Sequence, residues 1–147
     1  MNDRAFVDAN VILRFLTGDP PEMPARSTAL FKAMERGEVT LLLDEIVVAE
    51  VVWVLQSYYG HPPTEISRAL WDLIAHEGFE AQDKAAILES LRLFADKNVD
   101  FADALTAVHM ARQGITEIFS FDTRFDRLPG VVRRVPEEEG PDPGRLP

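Results

Sequence analysis

The chain contains no cysteine, has only three lysines, and carries no apolar run of bilayer length. The missing cysteines exclude a disulfide scaffold, a thiol nucleophile and thiolate metal ligands, and they suit a reducing compartment. The strongest apolar stretch, Ile46–Leu55, is interrupted by Glu50 and falls far short of the ~20 residues a spanning helix needs. The apolar stretch near the N-terminus is broken by Asp8 and Arg14, unlike the core of a signal peptide. The expected location is therefore cytoplasmic, with no membrane partner.

What is present is acid. Among 147 residues, 25 are Asp or Glu against 15 Lys or Arg, a formal net charge of −10. Such a chain repels nucleic acid and anionic membrane at long range. Taken alone, the balance argues for a basic partner, a cation site or simple solubility. The length fits one domain, which at this size buries roughly 68–70% of its unfolded surface. Residues 136–147, PEEEGPDPGRLP, hold four acids against one arginine and too little apolar content to pack. They are read as a flexible acidic tail on a domain of residues 1–135.

The domain alternates short apolar stretches with helical periodicity, the pattern of βα units. Strands are predicted at Ala5–Val7, Val39–Leu43, Phe79–Ala81, Ile115–Phe121 and Val131–Val135. A helix over Asn10–Leu16 is closed by Gly18 and the Pro20–Pro21 pair, and Pro24 opens the next, which Gly37 ends. Residues 44–59 are rich in β-branched side chains, but their length exceeds a normal strand and Asp44 is an apt N-cap, so a helix is predicted. Further helices start at Thr64, after Asp83 and after Asp100, the last running Phe101–Gln113 to a stop at Gly114. Thr123–Leu128 reads as a turn or short helix. The expectation is a parallel sheet covered on both faces.

Asp8 and Asp122 fall at the carboxyl ends of two predicted strands, where open α/β sheets bind ligands. Either one alone reads more simply as the cap of the helix that follows. Glu50 lies within IVVAEVVWVL, where neither a helical nor an extended reading gives it a wet face. An ionised carboxylate there requires an arginine partner, a proton or a metal. Asp100 is read as the cap of the Phe101–Gln113 helix, and Asp103 as a first-turn acid favoured by the helix dipole. Asp126 follows Asp122 by one turn. Such carboxylates brought together repel by about 3 kcal/mol per pair at ~5 Å and an effective dielectric of 20. Protonation or a hard cation must relieve that repulsion. All-oxygen ligation suits Mg2+ or Mn2+ and the metal-assisted cleavage of phosphodiesters.

The order Asp8 in FVDANVILRFL, Glu50 in IVVAEVVWVL, Asp103 in VDFADALTA and Asp122 in IFSFDTRFDRL resembles the PIN-domain ribonucleases. Within them it is most similar to the VapC-type toxins of bacterial toxin–antitoxin pairs. The resemblance runs from about residue 4 to residue 135. It implies a PIN-like three-layer α/β fold, with a parallel sheet of four to five strands between helices, and an endoribonuclease activity dependent on Mg2+ or Mn2+. It further implies a homodimer and a cognate antitoxin that occludes the site. Carried over residue by residue, the family's acidic quartet falls on Asp8, Glu50, Asp103 and Asp122. Asp126 matches a further acidic metal-site position, and Asn10 and Ser120 match small polar positions that orient the metal. The acidic tail is outside the family pattern.

Positive charge is carried by 12 arginines, whose planar fork suits phosphate. Arg14, Arg112, Arg124 and Arg127 lie near the acidic motifs in sequence and are candidates for holding an RNA backbone, or else surface ion pairs. His61, His76 and His109 form no metal-binding spacing. Trp53 and Trp71 are read as core or dimer contacts rather than base-stacking platforms. A receiver-like signalling domain or a haloacid-dehalogenase-type phosphatase also gathers acids and Mg2+ at strand ends, but each requires a lysine near the phosphoryl site. Lys32, Lys84 and Lys97 all fall within predicted helices. A non-catalytic PIN-type binding module is the other alternative, and the intact acids argue against it.

Overall fold

The computed structural model describes residues 3–18, 21 and 24–146. Pro20, part of the predicted stop after the first helix, lies outside them. Strand β1 (Asp3–Phe6) leads to helix α1 (Ala9–Thr17), helix α2 (Pro24–Glu35) and strand β2 (Val39–Leu42). Helices α3 (Glu45–Ser57) and α4 (Pro63–Ile74), strand β3 (Phe79–Glu80) and helices α5 (Lys84–Lys97) and α6 (Phe101–Gln113) follow. Strand β4 (Glu117–Phe119), a 3-10 segment (Thr123–Arg127) and strand β5 (Val132–Arg134) complete the order. No helix among the described residues is long and apolar enough to cross a membrane.

The helix ends follow from local chemistry. Asp44 and Asp83 accept the backbone N–H groups of Ile46 and Ala86, satisfying donors that the first turns of α3 and α5 leave unpaired. Gly18 and Gly114 end α1 and α6 in the left-handed conformation. In α3 the buried residues Val48, Val51, Val52 and Leu55 recur at helical spacing, and that stripe outweighs the strand propensity of the valines. The opposite face carries Ile46, Glu50 and Trp53, all exposed. This corrects two expectations: Glu50 is in water and needs no buried partner, and Trp53, 67% exposed, is not core. Trp71 is also exposed.

Among the described residues all five strands are parallel, as expected, but they form two separate sheets. β2 lies between β1 and β3, with Ala5 opposite Leu41 and Leu41 opposite Phe79. β4 pairs with β5 alone, Ile118 opposite Arg133. Among the described residues no strand pair joins β1 to β4, so β1 is an edge and its Phe6 is 72% exposed. The β4–β5 unit is held to the core through the segment that connects its strands. Phe125 and Leu128 of the intervening segment are buried in the core, and Arg127 donates to the Asn98 carbonyl at 2.6 Å. The predicted strand Ile115–Phe121 is correspondingly shortened to Glu117–Phe119. Beyond β5 no described residue joins a helix or strand, and residues 136–146 are exposed.

The core is one cluster spanning α1 to the 3-10 segment. Phe31 of α2 meets Phe15 of α1 edge-on, centroids 4.3 Å apart, and Phe79 of β3 at 5.9 Å. α5 packs between α4 and α6, and α1 packs on α2 and α3. At Gly78, just before β3, an added side chain would have to displace that of Met34. A Cβ at that position would lie 2.3 Å from the Sδ and 2.5 Å from the Cγ of buried Met34. Gly78→Ala is therefore expected to cost about 1–3 kcal/mol through overpacking. Urea unfolding should show a lower midpoint at unchanged slope, and an unchanged midpoint would disprove the tight fit.

Candidate active site

Asp8, Asp100 and Asp122 sit at the starts of helical elements, and Asp8 and Asp122 make side-chain cap bonds there. Asp8, two residues past β1, accepts the Ala9 backbone N–H at 2.8 Å through Oδ1 and begins α1. Asp122, three residues past β4, accepts the Arg124 backbone N–H at 2.9 Å and begins the 3-10 segment. Asp100 holds the N-cap position of α6 but makes no side-chain cap bond. Its carboxylate faces Arg124 instead, at 3.4 Å.

Asp103 is where the charges meet. It is half-buried in the first turn of α6, and its pKa is raised above the ordinary aspartate range. Burial is the main cause, followed by the neighbouring charges of Asp100 and Asp122, with Arg124 opposing. Asp122 is shifted the other way, held low chiefly by the hydrogen bond from the Arg124 side chain and then by the Arg124 backbone N–H. The structure thus pairs Asp100 and Asp122 with one guanidinium, with Asp103 near enough to feel their charge. Asp100, read from sequence only as a cap, belongs to this group. Its spacing of three from Asp103 on one helix was the available signal.

The remaining candidates are disposed differently. Asp126 forms a two-pronged pair with Arg133 of β5, at 3.1 and 3.3 Å, which engages both its oxygens. Ser120 accepts the backbone N–H of Asp122 at 3.0 Å, so it orients that acid. Asn10 is exposed in the first turn of α1 and Glu50 is exposed on α3. Arg112 pairs with Asp83 at 3.1 Å, and Arg127 is committed to Asn98. Arg14 has a buried Nη1 without a hydrogen-bond partner among the described residues. A cleft of 530 Å3 opens at the carboxyl ends of β1, β2 and β3 and is lined by Arg4, Phe6, Glu45, Glu80 and Asp83. None of the acids expected from sequence lines it.

The donor set fits a hard divalent cation by its chemistry, being all oxygen with excess negative potential at Asp103. Its arrangement is closed, because Arg124 engages Asp122, and no three His, Asp or Glu donors converge among the described residues.

The chain is similar to a VapC ribonuclease of Aquifex aeolicus (strain VF5), 26% identical over 122 residues, covering 83% of this chain and 90% of that protein. The family description "PIN domain" matches residues 5–131, a span that begins in β1 and takes in every acid discussed above. The chain belongs to the PIN-domain family.

Proposed function

We propose that the protein is a metal-dependent endoribonuclease that hydrolyses RNA phosphodiester bonds with Mg2+ or Mn2+. We further propose that it is the toxin of a type II toxin–antitoxin pair, cytoplasmic, homodimeric and restrained by a cognate antitoxin. The observation that carries the reading is half-buried Asp103, set beside Asp100 and Asp122 and destabilised in its charged form. A folded protein keeps such an acid at a cost that a cation offsets.

Asp103 and Asp122 would hold the metal, with Asp8 and Glu50 as the further carboxylates and Asp126 released from Arg133. When bound, the cation supplies neutralising charge and an acidified water. Ser120 fixes the Asp122 backbone and so limits the directions its carboxylate can take. Arg124 and Arg127 flank the acids and offer donors to an RNA phosphate; Arg14 and Arg112 are the other candidates. The exposed apolar face of α3 and its end, with Ile46 74%, Trp53 67% and Tyr58 76% exposed, supports a protein partner, because such patches mark association surfaces.

The test is cleavage of labelled RNA by the purified protein with Mg2+ or Mn2+, with EDTA, and with Asp8→Ala. Cleavage is expected with either metal and is expected to be lost with EDTA and in the variant. Cleavage that survives EDTA would refute metal dependence. RNA binding without cleavage would make the protein a binding module.

A further inference from the structure

We propose that the Arg124 guanidinium is a built-in competitor for the divalent cation, filling the acidic cluster in the free protein and leaving it when metal binds. This inference rests on the metal-dependent reading above and adds to it a gating residue supplied by the chain itself.

The geometry is specific to one carboxylate. Nε of Arg124 lies 3.1 and 3.2 Å from the two oxygens of Asp122, and Nη2 lies 2.8 Å from Oδ2. The Arg124 backbone N–H takes Oδ1 at 2.9 Å. A carboxylate offers about four lone-pair sites, and these contacts use that capacity. The same guanidinium reaches Asp100, with Nη1 3.5 Å from Oδ1 and Nη2 3.4 Å from Oδ2. Arg124 therefore bridges two acids beside the third, a place that suits a cation by charge and by donor chemistry. A metal ion and a guanidinium cannot use the same lone pairs at once.

The latch is also releasable. The Arg124 side chain is 43% exposed and those of Asp122 and Asp100 are 33% and 56% exposed, so solvent screens the pairing and holds its strength to that of a surface ion pair. A freed arginine keeps its charge and its planar fork, which match a phosphate oxygen pair. Loading of the metal thus turns Arg124 from a partner of acids into a partner for substrate.

The experiment is Mn2+ binding to the full chain without RNA, read from the electron paramagnetic resonance signal of free Mn2+. Arg124→Gln is expected to bind about tenfold more tightly than wild type, with Arg124→Lys between them because it keeps charge but loses the fork. Arg134→Gln removes the same charge at the Glu117 pair and is expected to leave the affinity within about twofold, so a general charge effect is separated from the latch. Asp103→Asn should weaken binding and so locate it. Equal or weaker binding by Arg124→Gln, with wild type still binding Mn2+, would overturn the latch and leave the metal-dependent reading standing. Absence of binding in wild type and in every variant would overturn both. Circular dichroism of each variant establishes that it is folded, and Arg124→Lys decides the matter if Arg124→Gln is not.

Discussion

Asp103→Asn is expected to lower RNA cleavage by about 10^3-fold and, in metal-free buffer at neutral pH, to raise the melting temperature. The first effect follows because metal-held charge is worth several kcal/mol to the transition state, at about 1.4 kcal/mol per tenfold in rate. The second follows from the sign of the Asp103 shift. Its folded pKa lies above the unfolded value, driven by burial and by Asp100 and Asp122, so the unfolded chain carries this charge more easily than the native one. Native stability from this group is lost as pH rises from the unfolded pKa through the folded one. At neutral pH the loss is complete, and asparagine removes it. In acid, where Asp103 is protonated in both states, the advantage of the variant should vanish. Single-turnover cleavage and paired melts at neutral and acid pH test both halves. Wild-type cleavage by Asp103→Asn would remove this residue from the site, and a lower neutral melting temperature would show its charge to be compensated.

Phe31→Ala is expected to be the most destabilising single truncation of the aromatic cluster, by about 3–5 kcal/mol. Phe31 is 1% exposed and contacts both Phe15 and Phe79, so its loss leaves a cavity among α1, α2 and β3 and removes two ring–ring contacts. Domains of this size hold a margin of about 5–15 kcal/mol, so the variant should unfold at much lower denaturant. Phe31→Leu, which keeps most of the volume, should lose clearly less. Equilibrium urea unfolding of the three proteins provides the measurement. A loss under about 1 kcal/mol in Phe31→Ala would mean that the site collapses to fill the space.

Element boundaries were legible wherever a single side chain decides them. Asp44, Asp83, Gly18 and Gly114 end helices through bonds or backbone angles that are local in sequence, and α6 runs Phe101–Gln113 as its periodicity predicts. The division of the strands into two sheets was not legible, because pairing partners lie far apart in the chain and β4 and β5 are three residues each. Glu50 was misread for an avoidable reason. The stripe Val48, Val51, Val52 and Leu55 already defines a buried face, and helical spacing sets Glu50 on the other side with Ile46 and Trp53. Asp122 and Arg124 are two residues apart, yet their spacing does not reveal a guanidinium that also reaches Asp100. The Asp126–Arg133 pair depends on how β5 returns past the 3-10 segment, which is tertiary information.

The separate β4–β5 ladder divides the acids between two parts of unequal resistance to opening. Asp100 and Asp103 belong to α6, packed against α5, and Asp8 begins α1 within the main core. Asp122 and Arg124 ride on a unit gripped by Phe125 and Leu128, with Ile118 and Val131 partly covered. Cooperative units of a fold open at free energies set by their own packing, and this grip is smaller than the packing of the helices. The spacing between the two halves of the carboxylate set is therefore governed by a few side chains rather than by a continuous hydrogen-bonded sheet. Movement of that unit against α6 would change the distance between Asp122 and Asp103 without breaking a strand pair.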